Sequence, residues 1–134
     1  MCIRDSAATR WVIAGHSRGA LHAARFAAAR PDRLAGLVLM GTSHPRDRDL
    51  SALTIPVMKI AATNDGVTGE AQFDRRRLPA TTTWVRIEGG NHAQFGFYAP
   101  YQLWDGRATI AREVQQDQLL AALLTLLDRV LHSS

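Results

Sequence analysis

Gly15-His16-Ser17-Arg18-Gly19 sets two glycines around one serine in the pattern G-x-S-x-G, between an apolar run, Trp11-Val12-Ile13-Ala14, and an alanine-rich stretch. A serine held in a sharp strand-to-helix turn exposes its hydroxyl, and the glycines let the chain bend there with only minimal side chains beside it. The N-terminus of the following helix directs partial positive charge and unpaired amides at the turn. The amide of Arg18 is therefore the candidate donor to a developing oxyanion. The chemistry indicated is nucleophilic attack by Ser17 with transfer of an acyl group.

A serine hydroxyl is a weak nucleophile until a base takes its proton. Of five histidines, His16 adjoins Ser17 and is expected to point away from it, His22 lies on the following helix, His44 follows the second apolar run, and His132 is in the tail. His92, in Gly89-Gly90-Asn91-His92, follows the last strand-like segment and is the candidate base. The base in turn needs a carboxylate, in the chain order serine, acid, histidine. Asp65, in the turn former Asn64-Asp65-Gly66, meets that order. Asp47 and Asp49 are rivals from an earlier loop, and Glu88 stands too close to His92 along the chain to turn back on it.

These residues need a scaffold that gathers loop ends. Trp11–Ala14, Leu37–Met40, Val57–Ala61 and Thr82–Ile87 read as four strands, the last rich in β-branched and aromatic residues. A helix fills the alanine stretch and stops at Pro31, which lacks an amide hydrogen and disfavours helical geometry in Arg30. A short helical segment is expected over Thr68–Arg75, and Phe95–Arg107 reads as an aromatic loop. From Thr109, as N-cap, Val114, Leu119, Leu120, Leu123, Leu124, Leu127, Val130 and Leu131 recur at helical spacing and predict a docking helix. Strands alternating with helices predict an α/β fold with a parallel sheet covered on both faces, and sites in such sheets form at the carboxyl ends of the strands.

Gly15 to Gly19 with Asp65 and His92 resembles the α/β-hydrolase superfamily, and Ile87-Glu88-Gly89-Gly90-Asn91-His92-Ala93-Gln94-Phe95-Gly96 is similar to a bacterial subgroup often labelled "alpha/beta hydrolase fold-5". The resemblance runs from Thr9 to Leu131. It implies Ser17 as nucleophile, Asp65 as acid, His92 as base and the Arg18 amide as one oxyanion donor, with no metal or cofactor. An ester, thioester or amide of a small to medium acid is the substrate class it implies. The family's acid strand usually ends Gly-x-x-Asp, whereas this one ends Ala62-Thr63-Asn64-Asp65. The family also carries four strands before the elbow and a second oxyanion donor from a loop after the third. The expectation is thus a truncated α/β-hydrolase fold of about four parallel strands with flanking helices, residues 7–134 being the C-terminal part of the domain. Residues 1–6, MCIRDS, read as a non-native segment. On its own such a chain is expected to self-associate through an exposed strand edge and to lack measurable esterase turnover; an inactive fragment or a non-catalytic binding domain on the same scaffold is the competing reading.

Composition narrows the field further. At 134 residues and 46% hydrophobic, the chain can bury one core. The net charge of +4 comes from scattered arginines rather than a basic block beside aromatics, which argues against nucleic-acid binding. One cysteine, Cys2, excludes an internal disulfide, no Cys/His cluster has zinc spacing, and no apolar run reaches membrane-spanning length. A cytoplasmic setting is favoured, and a small-molecule acyl compound is the expected partner.

Overall fold

In the computed structural model, which describes residues 11–98 and 104–133, four parallel strands stand in the order β1-β2-β3-β4. They are β1 (Trp11–His16), β2 (Leu34–Met40), β3 (Val57–Ala62) and β4 (Thr83–Ile87). The leading segment 1–6 and the middle of the aromatic stretch, 99–103, lie outside the described residues. Each strand overlaps the run expected from sequence and extends it or trims it by a few residues.

Helix α1 (Arg18–Ala29) lies on one face of the sheet, and α2 (Arg112–His132) on the other. The α1 contact is made by Ala20, Ala23, Ala24 and Ala27, all buried. Alanine is the strongest helix former and its methyl side chain allows the helix axis to come close. Leu37, Leu39 and Val57 meet it from the sheet, and Leu50 and Leu78 extend the same cluster. On the other face Val38, Met58, Ile60 and Ile87 pack against Leu119 and Leu126. Full burial of each such side chain contributes about 1.5–3 kcal/mol. The alternation within β2 and β3 shows why both read as nearly continuous apolar runs: both faces are covered. Lys59 is the charged exception. Its ammonium donates to the His44 carbonyl at 3.1 Å and lies 5.6 Å from the Trp84 ring centre, and burial, opposed by Asp74, pushes its pKa down to about 8.

Three expectations need correction. Helix α2 starts at Arg112, with Ala111 rather than Thr109 at the N-cap, because the Thr109 amide donates to the Gly89 carbonyl and its side chain packs on that glycine. The α2 face toward the sheet is Gln115, Leu119, Ala122 and Leu126, whereas Val114, Leu120, Leu124, Leu127 and Leu131 are exposed. The helix is leucine-rich on more than one side, so apolar spacing alone did not choose the face. The expected helix over Thr68–Arg75 is a shorter 3-10 turn, Gly69–Phe73.

Among the described residues β1 pairs only with β2, and Trp11 and Ala14 are exposed. Among those residues nothing pairs with its outer side, a row of backbone groups of the kind that recruits another chain. Size-exclusion chromatography is expected to show self-association that grows with concentration, and Ala14→Lys, which charges that edge, to reduce it. A wild-type chain that elutes as a monomer at every concentration would contradict this.

Candidate active site

The strand polarity brings three loops to one edge. Ser17 follows β1, Asp65 follows β3 and His92 follows β4. Gly15, at the end of β1, has no room for a Cβ, which would collide with the Gly19 carbonyl and meet the Ala20 amide nitrogen. A Cβ on Gly19 itself would meet nothing within 4 Å, so the steric demand of the motif falls on the first glycine. Ser17 has a φ of 55° and a ψ of −117°, and its amide donates to the Met40 carbonyl at 3.0 Å, tying the turn to β2. It occupies the N-cap of α1, yet its side chain makes no capping bond.

That hydroxyl is engaged elsewhere. Ser17 Oγ lies 3.0 Å from His92 Nε2, and His92 Nδ1 lies 2.8 Å from Asp65 Oδ2. The other Asp65 oxygen accepts the amides of Val67 and Thr68, each at 2.9 Å. Burial of this carboxyl favours its neutral form, but the bonds from His92 and Thr68 outweigh that, and its pKa falls below the usual carboxylate value. An ionised carboxylate only accepts, so the imidazole proton sits on Nδ1 and Nε2 is left to accept from the serine hydroxyl. The His92 and Asp65 side chains are 3% and 0% exposed. The arrangement can draw a proton from Ser17 and hold the resulting imidazolium beside a buried negative charge.

The rival residues are occupied in other ways. Asp47 pairs with Arg25 at 3.0 Å, Asp49 accepts the Ser51 amide, and Glu88 pairs with Arg86 on the surface. His22 is exposed, and His132 pairs with Asp128. An open cleft of about 560 Å³ lined by Ser43, Arg46, Asp49, Asp74, Arg76 and Arg77 includes none of the three residues of the hydrogen-bond chain. Arg18 opens α1, so its amide belongs to the first turn, where helix donors lack intrahelical acceptors.

Three further side chains that the sequence did not mark lie against this chain of hydrogen bonds or the loops that carry it. His16, expected to point away, turns its ring onto His92, with centroids 4.6 Å apart, and also meets Phe95 and Tyr98. Burial, reinforced by repulsion from His92 and opposed by Asp65 and Asp105, lowers its pKa from 6.5 to about 4. Gln115 projects from α2 beneath the histidine loop: its amide group donates to the Asn91 carbonyl at 2.9 Å, and its oxygen accepts from the Asn91 amide at 3.1 Å. The bare Cα of Gly90 makes room for it. Asp105 accepts the amides of His92 at 3.1 Å and Ala93 at 2.9 Å. The one available signal for Asp105 was an Asp-Gly pair inside an aromatic loop.

His16 makes stability depend on pH with a definite sign. Its folded pKa lies below its unfolded one, so the contribution is complete above pH 6.5 and is lost as pH falls toward 4. His16→Phe keeps a ring and removes the titration. Urea melts are expected to show the wild type losing on the order of 1–2 kcal/mol more than the variant across that interval, after allowance for solvent screening. Parallel curves for the two proteins would contradict the assignment.

The alpha/beta hydrolase family model matches residues 2–117. Among solved structures, an alpha/beta hydrolase enzyme from the metagenome of sediments from the lagoon of Mar Chica, Morocco, superposes with a TM-score of 0.65 at 19% identity, covering 91% of this chain and 64% of that one. A predicted CIB-like hydrolase from Thermoplasma acidophilum superposes with a TM-score of 0.64 at 13% identity, covering 90% of this chain and 52% of that one. The chain therefore spans less than two thirds of either structure, and at these identities the likeness is one of fold. No curated protein matches. Among the described residues no helix is long and apolar enough to cross a membrane.

Proposed function

The chain belongs to the alpha/beta hydrolase family, and from that premise and the geometry of the loops we propose that it is a serine hydrolase, with Ser17 as nucleophile, His92 as general base and Asp65 as the acid that orients it. The observation that carries the proposal is the unbroken chain of hydrogen bonds from Ser17 Oγ through both imidazole nitrogens to a buried carboxylate. A serine at a helix N-cap ordinarily spends its oxygen on the helix amides. This one does not, and its hydroxyl is left for chemistry.

In the proposed cycle His92 Nε2 takes the hydroxyl proton as Oγ attacks the carbonyl carbon of an ester, thioester or amide. The tetrahedral oxyanion accepts from the Arg18 amide at the positive end of α1. His92 then gives its proton to the leaving group, an acyl-enzyme remains, and water attacks it by the same route in reverse. Asp65 stays ionised throughout and stabilises the imidazolium. No step calls for a metal or an organic cofactor.

A fluorophosphonate probe tests the proposal without requiring turnover, because it phosphonylates an activated serine and stops there. Cleavage after Arg10 and Arg18 releases the peptide Trp11–Arg18, in which Ser17 is the single hydroxyl-bearing residue. The adduct is expected on that peptide. An adduct elsewhere, or none, would refute Ser17 as nucleophile.

A further inference from the structure

We propose that Asp105 is a positioning residue for the site, holding the loop that bears Asp65 and the loop that bears His92 in one fixed relation; this rests on the serine-hydrolase reading above. Asp105 Oδ1 accepts the amide of Gly66, the residue after Asp65, at 3.3 Å and the amide of His92 at 3.1 Å. It also accepts the amide of Gly106 at 2.9 Å, and Oδ2 accepts the amide of Ala93 at 2.9 Å. One carboxylate thus joins the backbone next to the acid to the backbone of the base itself. Both of its oxygens are acceptors, which is the form needed to gather several N–H groups.

The segment that carries it is tied down from both sides. The Asn64 amide group donates to the Arg107 carbonyl at 3.0 Å, and the Asn91 amide group donates to the Gly106 carbonyl at 2.9 Å. The fit is backbone on backbone. A Cβ on Gly66 would collide with the Trp104 carbonyl oxygen and lie 2.7 Å from the Gly106 nitrogen, and one on Gly106 would collide with the Asn64 carbonyl oxygen. Trp104, just before Asp105, has a φ of 78° although the residue is 85% exposed. The left-handed turn therefore serves no burial of that ring, and its effect is to deliver Asp105 to the two loops. The sheet alone fixes the loops less well. Beyond the ends of β3 and β4, two backbone bonds, from Thr63 to Ile87 and from Asn64 to Gly90, continue the ladder, and neither reaches Asp65 or His92.

The test is the labelling kinetics of Asp105→Ala and Asp105→Asn with a fluorophosphonate, resolved into kinact and KI. Asparagine keeps the oxygen that accepts from Gly66, His92 and Gly106 and turns an N–H toward the Ala93 amide; alanine keeps neither oxygen. A misplacement of about 1 Å costs on the order of 100-fold in rate, so kinact is expected to fall about 100-fold in Asp105→Ala and about tenfold in Asp105→Asn, with KI unchanged. The low-field proton resonance of the His92–Asp65 hydrogen bond is expected to vanish in a folded Asp105→Ala and to persist in Asp105→Asn. Wild-type kinact in Asp105→Ala overturns the inference. If circular dichroism shows that Asp105→Ala does not fold, Asp105→Asn decides: a reduced kinact supports the inference and an unchanged one overturns it. A wild-type chain that takes no label refutes the serine-hydrolase reading alone. The proton resonance then decides for Asp105, its survival in a folded Asp105→Ala overturning the positioning role and its loss supporting it.

Discussion

Ser17→Ala is expected to abolish fluorophosphonate labelling of the chain, and His92→Ala to slow it by about 10³-fold or more. The first substitution removes the atom that forms the bond to phosphorus. The second leaves that atom in place but removes the acceptor 3.0 Å away, so the serine must attack as a neutral hydroxyl. Neither change should disturb the core. Ser17 makes its backbone bond to Met40 through the amide, which alanine retains, and the His92 amide bond to Asp105 is likewise independent of the side chain. Thermal melts of both variants should therefore show cooperative unfolding. Labelling that persists in Ser17→Ala would move the nucleophile elsewhere. A fast His92→Ala would leave the serine activated by some other group.

Asp65→Asn is expected to lower the labelling rate by about 10⁴-fold while the protein stays folded. The direction follows from what surrounds the carboxylate. Oδ1 accepts two backbone amides, from Val67 and Thr68, and an asparagine in this place keeps its carbonyl oxygen on that side. Its NH₂ group then faces His92 Nδ1, which must accept rather than donate. The imidazole proton moves to Nε2, the nitrogen that has to receive the proton of Ser17, and the relay is set in the wrong tautomer. Second-order labelling constants, with circular dichroism as the folding control, check this. A rate within about tenfold of wild type would show that another carboxylate orients the histidine.

What the sequence disclosed was what lies along the chain or follows from strand polarity. Ser17 could be found because its turn is built from adjacent residues. Asp65 and His92 could be singled out because parallel strands put all their carboxyl ends at one edge, so the order of segments stood in for distance. Asp105 could not be found this way. It acts on backbone amides, which every residue other than proline possesses, and nothing in the composition of residues 64–66 or 91–93 marks them as its partners. Gln115 was hidden in a helix read by its leucines, although the buried face turned out to carry that glutamine and an alanine. The ring of His16 depends on one side-chain torsion, which neighbouring residues in sequence do not dictate. The glycine motif itself is only half explained by its pattern: Gly15 is required by contact with the helix, and Gly19 faces open space.

The left-handed φ of Ser17 bears on how such a chain drifts under mutation. A non-glycine residue in that conformation costs the fold on the order of 1–3 kcal/mol, a burden glycine does not carry. If the position served packing alone, replacement by glycine would be the change most readily fixed, since it relieves the backbone and removes only a hydroxyl. In a lineage no longer selected for chemistry, the serine would be among the early losses, and the protein would be more stable for it. The serine is still there, in a backbone conformation that favours its replacement.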